Sequence, residues 1–93
     1  MKHYIIAKFK DREDLDSLFP EISELFSGVT KLDGVDGLEI HKSNSTRENR
    51  YSLMIILHLS QKGLESFDAS DIHRDWKARY GDRLESKAIF DCD

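Results

Sequence analysis

The chain has 93 residues, 39% of them hydrophobic and 34% charged, with a formal net charge of −4. That length holds one domain with a modest core, read here as residues 1–93. The acidic balance, with Lys and Arg scattered among Asp and Glu, offers no basic stripe to release counterions from a phosphate backbone, which argues against a nucleic-acid partner.

MKHYIIAKFKD at the start has only a short apolar run, interrupted by Lys8 and Lys10. It reads as a strand and not as a secretory leader or a membrane span, so the expected location is the cytoplasm. Over residues 3–9, His3, Ile5, Ala7 and Phe9 alternate with Tyr4, Ile6 and Lys8, which gives the strand a drier and a wetter face. Leu15, Leu18, Ile22, Leu25, Val29 and Leu32 follow at spacings of three and four and fall on one helical stripe. Pro20 interrupts it, and a proline inside a helix costs about 3 kcal/mol, so the helix either begins near Ser17 to Pro20 or kinks there.

Asp33-Gly34 and Asp36-Gly37 are turn signals. Leu38 to His41 reads as a second strand and SNSTRENR as a polar loop. Residues 51–59, YSLMIILHL, place Leu53, Ile55 and Leu57 on one face and Met54 and Ile56 on the other, the pattern of a strand covered on both sides. Leu64 and Phe67 suggest a short helical turn, and a main second helix is expected from about Asp71 to Arg83. KAIFDCD supplies a last strand, with Ala88, Phe90 and Cys92 facing opposite to Ile89 and Asp91. Cys92 has no second cysteine to pair with and reads as a spectator thiol.

The order β-α-β-β-α-β is the ferredoxin-like α+β arrangement, in which two helices cover one face of a four-stranded antiparallel sheet. Two helices leave the other face bare, while strand 51–59 carries large aliphatic side chains on both. A patch of that kind marks an interface. A homodimer packed sheet against sheet by two-fold symmetry would bury it.

MKHYIIAKFKD, ENRYSLMIIL, and HRDWKARYG followed by IFDCD together resemble the stress-responsive α/β-barrel family, known as Dabb, over essentially the whole chain. The resemblance implies a dimeric α/β barrel, with a small-molecule cavity in each subunit between sheet and helices. A plant polyketide cyclase of that family performs an intramolecular aldol condensation. Its histidine near the start of the second helix is similar to His73, its Phe-Asp pair to Phe90-Asp91, where the aspartate supports the histidine, and its N-terminal pocket histidine to His3. Its active-site tyrosine falls at Phe67, which has no hydroxyl.

The residues give His73 a role of their own. With Ser70 as N-cap, His73 lies in the first helical turn, where the dipole and unpaired N–H groups disfavour an imidazolium and leave a neutral, proton-accepting ring. A strand carboxylate such as Asp91 would fix the tautomer, giving a dyad suited to abstracting a proton beside a carbonyl. The competing reading is a histidine that only ties helix to strand. Trp76 and Tyr80 follow at helical spacing and serve either as an aromatic wall for a flat ligand or as core anchors. Ile5, Ile55 and Phe67 would shape the same cavity, and His3 would be a second polar group in it or a solvated terminal residue. His41 and His58 read as strand-surface or interface residues.

No HxH, HxxxH or CxxC spacing supports a metal, and no glycine-rich phosphate loop or nucleophile elbow is present, so no metal or cofactor is expected. Three functional readings follow. One is a cofactor-free enzyme, cyclase- or isomerase-like, using His73 and Asp91 on a small apolar or aromatic carbonyl compound. A second is a non-catalytic stress-associated or ligand-binding dimer. The third, borrowed from dimeric barrels of this shape, is a cofactor-free or haem-linked monooxygenase.

Overall fold

The computed structural model describes residues 1–93. The elements are β1 (Lys2–Phe9), α1 (Glu13–Phe26), a 3-10 turn (Val29–Lys31), β2 (Val35–Lys42), β3 (Leu53–Leu59), α2 (Gln61–Asp68), α3 (Asp71–Tyr80), a 3-10 turn (Gly81–Arg83) and β4 (Leu84–Cys92). All four strands join one antiparallel sheet in the order β2-β3-β1-β4. This is the ferredoxin-like arrangement, with the crossover from β3 to β4 made by two helices where the sequence suggests a turn and one helix.

Hydrophobic alternation decides which face the helices take. His3, Ile5, Ala7 and Phe9 of β1 and Leu53, Ile55, Leu57 and Leu59 of β3 are buried on one side, against Ile22, Phe26, Phe67, Trp76 and Tyr80 from the helices. Tyr4, Ile6, Met54, Ile56, Ala88 and Phe90 lie on the opposite, uncovered face, because residues paired across antiparallel strands share a side. No helix is long and apolar enough to cross a membrane.

Helix α1 begins at Glu13, earlier than Pro20 suggests, and Pro20 lies inside it. Pro20 and the preceding turn at Asp16 are both exposed. Water can therefore satisfy the carbonyl that the proline leaves without a donor. The helix stops at Phe26, so Val29 belongs to the 3-10 turn and Leu32 lies beyond it. Helix α3 stops at Tyr80, short of Arg83, and β2 and β4 begin at Val35 and Leu84, earlier than the expected Leu38 and Lys87.

Ser60 and Ser70 cap α2 and α3, their hydroxyls accepting the backbone N–H groups of Gly63 and His73 at 3.2 Å each. The α2 cap fits against the turn before β2. Gly34 has φ +86°, and its carbonyl accepts the Ser60 N–H at 2.9 Å. A Cβ on Gly63 would fall onto that carbonyl. An unobstructed helical glycine gains about 1 kcal/mol on change to alanine. Here the sign reverses: Gly63→Ala should destabilise the protein by roughly 2–4 kcal/mol in urea unfolding, since backbone must move. A stabilised Gly63→Ala variant would contradict the close packing of these two segments.

Candidate functional site

The register of β1 against β4 places His3 beside Asp91. Their side chains meet, with His3 Nδ1 2.5 Å from Asp91 Oδ1. The His3 side chain is 7% exposed and that of Asp91 44%, so a nearly buried imidazole is held by a half-solvated carboxylate. With its proton on Nδ1 the ring donates to Asp91 and keeps a lone pair on Nε2. Nε2 has no hydrogen bond within the protein, and no sealed side-chain nitrogen lacks a partner, so Nε2 is not fully closed off from solvent.

His73 occupies the expected place in the first turn of α3, but Asp91 is not its partner. Its Nδ1 lies 3.2 Å from the carbonyl oxygen of Asp68, at the end of α2. The Phe67 ring packs against both imidazoles, with centroids 4.9 Å from His73 and 5.9 Å from His3. Helix α2 explains the difference from the sequence reading: it brings Phe67 and the Asp68 carbonyl up to His73, while strand pairing gives Asp91 to His3. His3, Phe67, His73 and Asp91 therefore form one cluster in which the carboxylate belongs to the N-terminal histidine.

The other expected lining residues do not open onto a cavity. Ile5, Ile55, Phe67, Trp76 and Tyr80 are all at most 2% exposed, and they fill the space between sheet and helices. Trp76 meets Phe26 edge-on at 5.5 Å and Tyr80 at 5.7 Å. The phenol of Tyr80 donates to Glu21 Oε1 at 2.9 Å. Burial, reinforced by that bond, raises the Tyr80 pKa above its ordinary 10.0.

A second polar cluster lies on the open face. Glu39 accepts from His58 Nε2 at 2.7 Å and from His41 Nε2 at 3.3 Å. These bonds, His58 first, hold the Glu39 carboxyl below its ordinary 4.5. Glu39-Ile40-His41 carries the same-face spacing of a strand, but His58 joins only through the pairing of β2 with β3. The open face also bears a hollow of about 230 Å³ beside His41, bordered by Ile6, Tyr51, Leu53 and Met54.

No protein-family model and no curated protein sequence matches the chain. Solved structures match it over nearly its whole length. A dimeric protein of unknown function and ferredoxin-like fold from Bacteroides fragilis NCTC 9343 is 13% identical, with a TM-score of 0.82 over 99% of this chain and 93% of that one. A Dabb family protein with a ferredoxin-like fold from Mesorhizobium loti MAFF303099 is 13% identical, with a TM-score of 0.73 over 99% and 93%. HapK from Hahella chejuensis is 9% identical, with a TM-score of 0.73 over 100% and 93%. At these identities the shared property is the fold, and it is the fold that the sequence resemblance implies.

The raised pKa of Tyr80 has a signed consequence. The folded state keeps the phenol proton that an unfolded tyrosine loses near pH 10, so this contribution is present below pH 10 and is lost as pH rises toward the folded value. Tyr80→Phe should cost about 1 kcal/mol at neutral pH through the lost Glu21 bond. Its stability should then fall less steeply than wild type above pH 10, as followed by urea unfolding. Parallel alkaline slopes would contradict the assignment.

Proposed function

We propose that the chain acts in the cytoplasm as a homodimer, sheet against sheet, which binds a small apolar or aromatic carbonyl compound and moves a proton with the His3–Asp91 pair. The observation that carries this reading is the 2.5 Å contact between His3 Nδ1 and Asp91 Oδ1. It fixes the tautomer that leaves Nε2 as a base, and it supplies a carboxylate to stabilise the imidazolium formed on proton uptake.

In the proposed step, Nε2 of His3 takes a proton from the carbon next to the substrate carbonyl. The C–H electron pair passes into the enolate, and the imidazolium returns the proton to another carbon or to an oxygen. That sequence is cyclase- or isomerase-like and consumes no cofactor. His73 stands across the Phe67 ring as a second imidazole. When its Nδ1–H donates to Asp68, its Nε2 is left as an acceptor for a substrate hydroxyl. Phe67 and Ile5 supply the apolar surroundings.

A second reading is favoured by a different observation. Ile5, Ile55, Phe67, Trp76 and Tyr80 fill the space between sheet and helices. In a non-catalytic, stress-associated or ligand-binding dimer, His3–Asp91 would be only the tie between β1 and the edge strand.

Ring opening of 5-nitrobenzisoxazole separates the two, because it needs only a base. Loss of the carbon-bound proton breaks the N–O bond and gives a coloured nitrile phenolate. The enzyme reading expects wild type to exceed His3→Gln by at least about a hundredfold and Asp91→Asn by about tenfold or more. Equal rates for wild type and His3→Gln would leave the non-catalytic reading.

A further inference from the structure

Two large apolar residues adjoin near the end of β4, and they point to opposite sides. Ile89, 49% exposed, pairs with Ile5 and lies on the helix side of the sheet. Phe90, 60% exposed, pairs with Tyr4 and projects from the open face. Phe90 touches its own chain through an edge-to-face contact with Tyr4 at 6.1 Å, so most of the ring stands in water. The same face carries the hollow of about 230 Å³, walled by Ile6, Tyr51, Leu53 and Met54. A closed cavity of about 150 Å³ suffices for benzene, so the hollow has volume enough for a phenyl ring.

Their placement is related by symmetry. In the order β2-β3-β1-β4, Phe90 belongs to one edge strand and the hollow lies toward the other, across β1, β3 and the end of β2. A two-fold axis lying in the interface along the strands exchanges those two edges between copies. Along the strands the two are one same-face step apart, about 7 Å. Phe90 is level with Tyr4 and Ile56, and the hollow is centred at Ile6 and Met54.

We propose that the open face is a reciprocal knob-and-hole interface, in which Phe90 of each copy seats in the Ile6–Tyr51–Met54 hollow of the other. This rests on the homodimer proposed above and specifies its anchor. A buried aromatic set in a partner pocket carries a disproportionate share of association energy, whereas the solvated cluster of Glu39, His41 and His58 beside the hollow contributes a polar rim.

Sedimentation velocity of the full chain over a range of concentrations tests it. Phe90→Ala should raise the dimer dissociation constant by about tenfold or more. Ile89→Ala, at an exposed apolar residue on the opposite face, should leave it unchanged. Tyr51→Ala should weaken wild type but add little to Phe90→Ala, because the two changes remove one contact. Wild-type dimerisation by a folded Phe90→Ala variant would overturn this anchor and leave the dimer standing. A wild-type chain that is monomeric at every concentration would overturn both.

Discussion

The hydrogen bond between His3 and Asp91 joins residues 88 positions apart, and it exists only because β1 and β4 run antiparallel in one register. That register also sets Tyr4 beside Phe90 and Ile5 beside Ile89. A slip of one residue would exchange the two faces of β4, turning Asp91 toward the open side and Phe90 toward the helices. Strand β4 is an edge, paired on one side and thinly covered by helix, so few apolar contacts resist such a slip. A charged hydrogen bond to a nearly buried imidazole, worth about 1 to 2 kcal/mol with Asp91 half in water, pins it.

The two faces of the sheet then meet different demands. On the helix side, Phe26, Phe67, Trp76 and Tyr80 interlock with the inner residues of β1 and β3. On the open side, Tyr4, Ile6, Met54 and Phe90 have no such partner, and Ile56 alone among these open-face residues is buried. A small chain gains much from covering such a surface, because its own core is limited. The carboxylate of Asp91 and the ring of Phe90 are adjacent in sequence, yet one belongs to the imidazole cluster and the other to the uncovered face of the sheet. The same strand thus turns a carboxylate to the imidazoles on one side and an exposed ring to the uncovered face on the other.

Much of this was legible in the sequence because it rests on periodicity. The alternation in YIIAKF and LMIILHL identifies two central strands and their inner faces, and SDIHRDW signals a capped helix start that the Ser70 hydroxyl fulfils. That the carboxylate of Asp91 meets a histidine was legible, but which histidine was not. Whether it met His3 or His73 depends on strand register and on the height of α3 above the sheet, which no local pattern encodes. Helix α2 is longer than the short turn that Leu64 and Phe67 suggest. Its Ser60 cap and its glycine packed on the turn at Gly34 are tertiary features, and α2 brings Phe67 between the imidazoles and gives His73 the Asp68 carbonyl. Pro20 misled in the other direction, since an exposed proline is tolerated in a helix whose inner face is well packed. Trp76 and Tyr80, readable as wall or as core, proved to be core.

The most direct test of the His3–Asp91 pair is nitrogen-15 NMR of the histidine rings, in the wild type and in Asp91→Asn. A single Nδ1-protonated tautomer is expected for His3, with its Nδ1 proton far downfield and protected from exchange, both features being lost in Asp91→Asn. A His3 ring that exchanges freely between tautomers in the wild type, or that keeps its protected proton without the carboxylate, would contradict the pairing on which the rest of the account depends.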